Sequence, residues 1–481
     1  MRLLLASSEV HPFSKSGGLA DMVGALAKAM GRGGHEVVVV TPLYRGIRER
    51  FPGIEHFDYH IDVPLGPERV QAGVWRIPPK ENVTTYFIDQ PRFYDRGQLY
   101  NEGGRDYPDN AHRFIFFSKC VVHLARHLPW RPELVHLHDW QTGLVPLMIL
   151  NQRWHEGWWD APRTCLTIHN LAYQGAFSRR DYDLCNLPPD YFNPNGVEFW
   201  GALNCLKAGL VYADVLTTVS PRYAREIATP MFGCGLDPIL RARQSSLLGI
   251  LNGVDYEEWN TTANPHLKMP FTANDLAGKT VDKAAVQAEL GLPLAPELPL
   301  FASITRLADQ KGVDIQLGAL EEMLSARMQF CLLGSGSPEF ERAYSELSRR
   351  HPDKVAIRLG FNQGLSHRIE AGSDFFLMPS RFEPCGLNQM YSQRYGTVPI
   401  VRVTGGLDDT VVDLVEDAGK ATGIKFREYS VRALAKAVRK ALVLYQTPDL
   451  LAKMRRNGMQ VDFSWERTCE EYGKAYRKVA G

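Results

Sequence analysis

Short, fully apolar runs alternate with longer stretches of mixed polarity along the whole chain. Residues 3–6 (Leu-Leu-Leu-Ala) form the first run, followed by a glycine-containing loop and a helical pattern over 19–31. The next run, 35–41, contains four consecutive valines, Val37 to Val40. Such a run has no polar face to give to solvent, as expected of a parallel strand covered on both sides. Residues 134–137, 164–168 and 215–219 read as further strands with helical segments between them. The alternation restarts near residue 299. Strands over 300–305, 328–333, 355–359, 375–378 and 398–403 are separated by helices over 313–324, 340–350, 364–371 and 386–395. This β-α-β order in both halves predicts an α/β protein with two doubly wound parallel sheets. Sheets of that kind take ligands at the carboxyl ends of their strands, so two facing sheets place a site in the cleft between them. The polar Gln244-Ser245-Ser246 stretch marks the expected hinge, dividing the chain into 1–245, 246–462 and a terminal helix 463–481. In that helix Trp465, Cys469, Tyr472, Tyr476 and Val479 recur on one face.

Composition narrows the class. The chain has 481 residues with 55 Lys+Arg against 54 Asp+Glu, a formal charge of +1. A balance so near zero exerts no general pull on nucleic acid or anionic lipid. Hydrophobic residues at 44% and charged residues at 23% exclude wholesale disorder. The eight cysteines are scattered without a CxxC pair, which argues against a disulfide framework or zinc site and suits a reducing, cytoplasmic compartment. The opening apolar run ends at Ser7-Ser8-Glu9, too short for a signal peptide. No run approaches the 18 apolar residues of a membrane span.

Candidate chemistry gathers at the strand ends. Ser14-Lys15-Ser16-Gly17-Gly18-Leu19 lies between a strand and a helix. A glycine pair there lets a ligand approach the backbone, and the helix start favours an anion. The alternative is a tight turn with a solvated lysine, and no Walker A spacing is present. Gly334-Ser335-Gly336 resembles a dinucleotide loop but has Glu339 where a third glycine belongs. Arg306 and Lys311, with Gly312 beside the lysine, flank a helix start after a strand. Each would gain roughly 4 kcal/mol from an anion at about 4 Å, before desolvation. Next comes Arg381-Phe382-Glu383-Pro384-Cys385-Gly386-Leu387. Pro384 suits the first helical position, which puts Glu383 at the cap. There the carboxylate either caps the helix or, with the Gly386 and Leu387 amides, receives sugar hydroxyls. Thr404-Gly405-Gly406-Leu407 is a second glycine-pair turn, able to hold a phosphate and hard to explain by packing alone. His136, His138, Asp139 and His169 end two strands, but their spacing matches no zinc site. His136 reads as a satisfied core residue. Trp154, Trp158 and Trp159 are expected to anchor a helix, with a glucan-stacking platform as the alternative.

Seven of these segments occur together in one order: Lys15 to Leu19, His138 to Gln141, Ile168 to Gly175, Asn252 to Asp255, Arg306 to Gly312, Glu383 to Leu387 and Thr404 to Leu407. In this the chain resembles the glycogen/starch synthase family of retaining glucosyltransferases, specifically its bacterial glycogen synthases, over essentially its whole length. The resemblance implies the GT-B architecture, two Rossmann-like domains across a deep cleft, with a last helix crossing back to the N-terminal domain. It implies glucose transfer from ADP-glucose to the nonreducing end of an α-1,4-glucan such as glycogen, with retention, and neither metal nor other cofactor. By the same resemblance Arg306 and Lys311 hold the diphosphate, aided by Lys15 and the amides of the Gly17-Gly18 and Gly405-Gly406 loops. Glu383, with Gly386 and Leu387, holds the donor sugar. His169 and Asp139 shape the sugar site from the other domain, and Phe361 stacks on adenine where a tyrosine is often expected. Asn252, Cys385 and Thr404 complete the substrate-binding set. Retention is compatible with a covalent or a front-side route. The position eight after Glu383 is Tyr391, so the Glu-x7-Glu pair of many related transferases is absent. Asp181-Tyr182-Asp183 is the one nearby D-x-D and reads as surface loop. The competing readings are a glucosyltransferase using UDP-glucose or a small acceptor, and an idle glucan-binding homologue. Domain closure about the hinge is expected because the ligands come from both halves.

Overall fold

The computed structural model describes residues 1–480, with the side chain of residue 480 left out. The chain divides into two compact units. The first comprises Met1–Val219, Ala224–Gly253 and Trp465–Gly481, and the second Ser220–Tyr223 and Val254–Ser464. The division thus falls after Gly253 rather than at the expected 245–246. Gln244–Ser246 is one short helical turn of the first unit, and the apolar Leu247–Gly249 that follows completes the first sheet.

That sheet has nine principal strands: β1 (Arg2–Ala6), β2 (Glu36–Pro42), β3 (Glu55–Leu65), β4 (Glu68–Lys80), β5 (Val83–Asp89), β6 (Leu134–His138), β7 (Arg163–Ile168), β8 (Val215–Thr218) and β9 (Leu247–Gly249). Their order is β9-β8-β7-β6-β1-β2-β5-β4-β3. Seven run parallel; β4 and β3 add an antiparallel edge. The sheet is therefore mixed, unlike the all-parallel sheet expected. Residues 55–65 alternate, with Ile61, Val63 and Leu65 buried between exposed neighbours, the pattern of a strand solvated on one face. In β1 and β2, by contrast, Leu3 to Ala6 and Val37 to Val40 are all buried. Register sets Leu5 beside Val39 on one side and His136 on the other.

The second sheet holds β10 (Leu300–Ile304), β11 (Gln329–Gly334), β12 (Val355–Leu359), β13 (Phe375–Met378), β14 (Val398–Arg402) and β15 (Ile424–Phe426). All pairings are parallel, in the order β12-β11-β10-β13-β14-β15. Phe301, Phe330, Leu332, Phe375 and Ile400 fill one face of its core, and Ala302, Cys331, Leu333, Phe376 and Val401 the other.

Among the parallel strands each order reverses once, between β1 and β6 and between β10 and β13. At such a reversal the two following loops diverge to opposite faces and leave a crevice at the carboxyl ends. The loops after β1, β6, β10 and β13 carry most of the candidate residues. Among the described residues no helix is long and apolar enough to cross a membrane.

Candidate functional site

In the second unit, Arg306 lies two residues past β10. It is exposed, and its guanidinium has no partner within the chain among the described residues. Its loop is held from behind: Leu307 N–H donates to Ser335 O at 2.9 Å and Ser337 N–H to Leu307 O at 2.8 Å. A Cβ at Gly334 or Gly336 would collide with the Thr305 or Leu307 carbonyl. The Gly-Ser-Gly segment is thus a packing device for the arginine loop. Arg306, Ser335, Gly336 and Ser337 line a pocket there.

Lys311 ends the short turn Asp309–Lys311, before Gly312 at φ +68 opens the helix Val313–Met323. Its Nζ is 2.7 Å from Glu383 Oε2, which also accepts from Ser380 Oγ at 2.9 Å. Glu383 is buried, yet its Oε1 has no partner among the described residues. The expected cap geometry is corrected here. Helix Asn388–Arg394 begins only after Leu387, because Gly386 at φ +70 is not helical, so Pro384 is not the first helical residue. The Gly386 and Leu387 N–H groups consequently stand outside the helix, without intramolecular partners among the described residues.

The Thr404 turn also differs from expectation. Gly406 N–H donates to the Glu383 and Pro384 carbonyls, each at 3.2 Å. A Cβ at Gly405 would strike the Glu383 carbonyl, and one at Gly406 the Cys385 carbonyl. Packing against the Glu383 loop therefore explains this glycine pair, and Gly406 has no amide to spare for a phosphate. Thr404 and Cys385 are buried in the same contact. Phe361, after β12, is 79% exposed beside Gly360 at φ +107, so its ring faces solvent.

In the first unit, Gly17 caps helix Gly18–Arg32 without a side-chain hydrogen bond, leaving first-turn N–H groups open. A Cβ on either Gly17 or Gly18 would meet nothing within 4 Å, and neither has positive φ. The chain itself does not demand these glycines. Lys15 pairs with Asp21 at 2.8 Å on the surface. Sequence reasoning missed what fixes this loop: buried Glu9 accepts from the Ser16 amide, from Ser16 Oγ at 2.6 Å and from Tyr100 OH at 2.7 Å. Its only sequence signal was a carboxylate directly after a buried strand.

Asp139 follows β6 at φ +56, a conformation costly for any residue but glycine. Its carboxylate accepts the His169 N–H at 2.7 Å and that of Asn170, while burial still pushes its pKa up to about 7. His169 Nε2 lies 3.1 Å from His138 Nδ1. His136 Nε2 contacts Thr167 Oγ1 at 2.6 Å, and its Nδ1 contacts Tyr476 OH at 2.8 Å. Burial holds His136 and His169 down to about 3 and His138 well below its usual range, so the trio is neutral near pH 7. His138 Nε2 is buried without a partner among the described residues.

Other candidates are placed elsewhere. Asn252 is buried in the segment leading out of the first unit, and the adjacent Gly253 leaves room for Trp465. Tyr391, where a second glutamate was absent, stacks on Trp259 with centroids 3.7 Å apart. Asp181 closes a capping box with Ser178, and Asp183 pairs with Arg179. Of the three tryptophans only Trp158 is buried; Trp154 and Trp159 are exposed, so the anchoring reading holds for one of them.

Residues 2–242 match the family model of the starch synthase catalytic domain, and residues 291–461 that of glycosyl transferases group 1. A glycogen synthase from an Anaeromyxobacter species is 48% identical over the full length of both chains. One from Syntrophotalea carbinolica is 43% identical, over 100% of this chain and 99% of its own. The catalytic domain of starch synthase IV from Arabidopsis thaliana, solved with ADP and acarbose, matches with a TM-score of 0.90 at 32% identity, covering 100% of this chain and 99% of that one. Sucrose-phosphate synthase from Thermosynechococcus elongatus shares the fold, with a TM-score of 0.60 at 18% identity over 99% of this chain and 98% of its own. From its two switch-point sheets to its full-length relatives, the chain belongs to the glycogen and starch synthase family, glucosyltransferases of the GT-B fold.

Proposed function

We propose that the chain transfers glucose from ADP-glucose to the nonreducing 4-hydroxyl of an α-1,4-glucan, glycogen in the cell, with retention and release of ADP. One observation supports this above the others: an exposed, unpaired arginine and a lysine–glutamate pair sit at the two strand ends that flank the switch point of the second sheet. Breaking the bond between the sugar and the diphosphate leaves negative charge on the departing group. Arg306 and Lys311 place two cations at these strand ends, a charge suited to stabilising that group as it develops. Glu383 Oε1 and the free Gly386 and Leu387 N–H groups offer one acceptor and two donors, a set suited to sugar hydroxyls. The first unit, taken by itself, offers an open helix start behind Gly17-Gly18, with Lys15, suited to phosphate, and the neutral His169. A neutral His169 adds no charge to repel a carbon that becomes cationic. Phe361 supplies a ring face for adenine, a role that needs no hydroxyl. No divalent cation or other cofactor enters this scheme. The scattered free cysteines favour a reducing cytoplasm.

The test is an assay of ADP release and chain extension with ADP-glucose and glycogen. Lys311→Ala and Glu383→Ala are expected to lower turnover by about 100-fold or more, with folding retained. Unchanged ADP release by either variant overturns the site. A tenfold or greater preference for UDP-glucose, by the ordinary ratio of kcat/KM values, overturns the donor.

A further inference from the structure

Trp154 lies in the last turn of the helix Val145–His155, and Trp159 in the link from that helix to β7. The two indoles are 62% and 66% exposed and meet edge to face, centroids 5.6 Å apart and planes at 85°. Trp158 does the anchoring between them: it is buried, with the Arg126 guanidinium 5.5 Å from its ring centroid. Gly157, at φ +68, turns the chain between the two exposed rings. The rim is polar, with His155, Glu156 and Asp160 exposed, and Glu156 is already paired with Arg126. The corner therefore offers two bare aromatic faces and little net charge.

The size of this surface decides what it fits. Two indoles exposed to this extent present roughly 300 Å². A stable protein interface needs about 800 Å² from each partner. A pyranose ring is the better match, because its C–H face covers an indole while its hydroxyls reach the rim and the indole N–H. Perpendicular ring planes suit successive units of a curved α-1,4 chain. The pair also stands at the amino end of β7, whose carboxyl end leads to His169. Six residues of strand place it roughly 20 Å from that end. A glucan gripped there keeps its chain ends close to the same molecule, which raises their effective concentration.

We propose that Trp154 and Trp159 form a second α-glucan-binding site on the first unit, at the amino end of β7; the proposal rests on the glucan reading above. Native electrophoresis with and without glycogen, and ADP-glucose kinetics with glycogen or maltotriose, would compare the wild type with W154A/W159A and W154F/W159F. The alanine variant is expected to bind glycogen roughly tenfold more weakly, the phenylalanine variant to keep most of the binding. The KM for glycogen should rise in the alanine variant, with kcat and maltotriose kinetics unchanged. Equal retardation of wild type and W154A/W159A, or none of the wild type, overturns the site. So does a fall in sedimenting mass in the alanine variant, which would mark a contact between copies. Glycogen retardation without ADP-glucose turnover in the wild type would instead overturn the reaction and leave the site standing.

Discussion

Lys311 and Glu383 neutralise each other before any substrate arrives, and Ser380 fixes the carboxylate on the same oxygen. Glu383→Gln keeps the size of the side chain but removes the ion pair, so it separates charge from shape. We expect a folded variant whose turnover falls by about 100-fold, read from ADP release and a melting curve. A pH prediction follows from the buried groups after β6 and β7. The histidines titrate near 6.5 when unfolded and, for His136 and His169, near 3 when folded, so acidification below 6.5 favours the unfolded chain. Asp139 acts in the opposite sense. Its pKa rises from about 4 unfolded to about 7 folded, so acidification from 7 towards 4 favours the folded chain. Asp139→Asn removes that compensation. Calorimetric melting temperatures should then fall more steeply between pH 6.5 and 4 than in the wild type, and equal slopes would refute the balance.

The two glycine-pair loops look alike as sequence and differ as elements. Gly405 and Gly406 are required by the carbonyls of residues 383 and 385, whereas Gly17 and Gly18 face open space. Gly406→Ala should therefore cost about 1–3 kcal/mol of stability as well as activity, since overpacking must move the Glu383 loop. Gly17→Ala should leave stability within about 0.5 kcal/mol, as for a surface change, and raise the KM for ADP-glucose. Denaturant unfolding and initial-rate kinetics check both. This contrast marks the limit of legibility. The parallel strands were readable because both-face burial writes continuous runs such as Val37 to Val40. The hairpin Glu55–Leu65 with Glu68–Lys80 carries a different signal, the alternation Phe57, Tyr59, Ile61, Val63, Leu65 of a strand solvated on one face, and so stands outside the pattern of continuous apolar runs. Lys15, Arg306, Lys311 and Glu383 were visible at strand ends. The Lys311–Glu383 pairing, the Gly406 hydrogen bonds and the Glu9–Ser16–Tyr100 anchor join residues far apart in sequence or through backbone atoms, and side-chain spacing does not report them.

At the scale of the molecule, the chain leaves the first unit for the main body of the second after Gly253 and rejoins it at Trp465, the short Ser220–Tyr223 stretch aside. The two crossings run side by side, with Val254 N–H donating to Phe463 O at 2.7 Å. The returning helix, Trp465–Ala480, buries Trp465, Tyr472, Ala475 and Tyr476, and Tyr476 OH reaches His136 in the first sheet. Tyr476→Phe should cost about 1 kcal/mol, the net worth of one hydrogen bond. Deleting residues 465–481 should lower the melting transition of the first unit far more than that of the second, as two-transition calorimetry would show. The same route sets an order of assembly during translation. The first unit, although it emerges earliest, stays unfinished until the whole second unit has left the ribosome. At synthesis rates on the order of 5–20 residues per second, that wait lasts roughly 10–40 s. Throughout it the surface around His136 stands uncovered, making this nascent half the natural client for a chaperone and the second unit the one that folds to completion first.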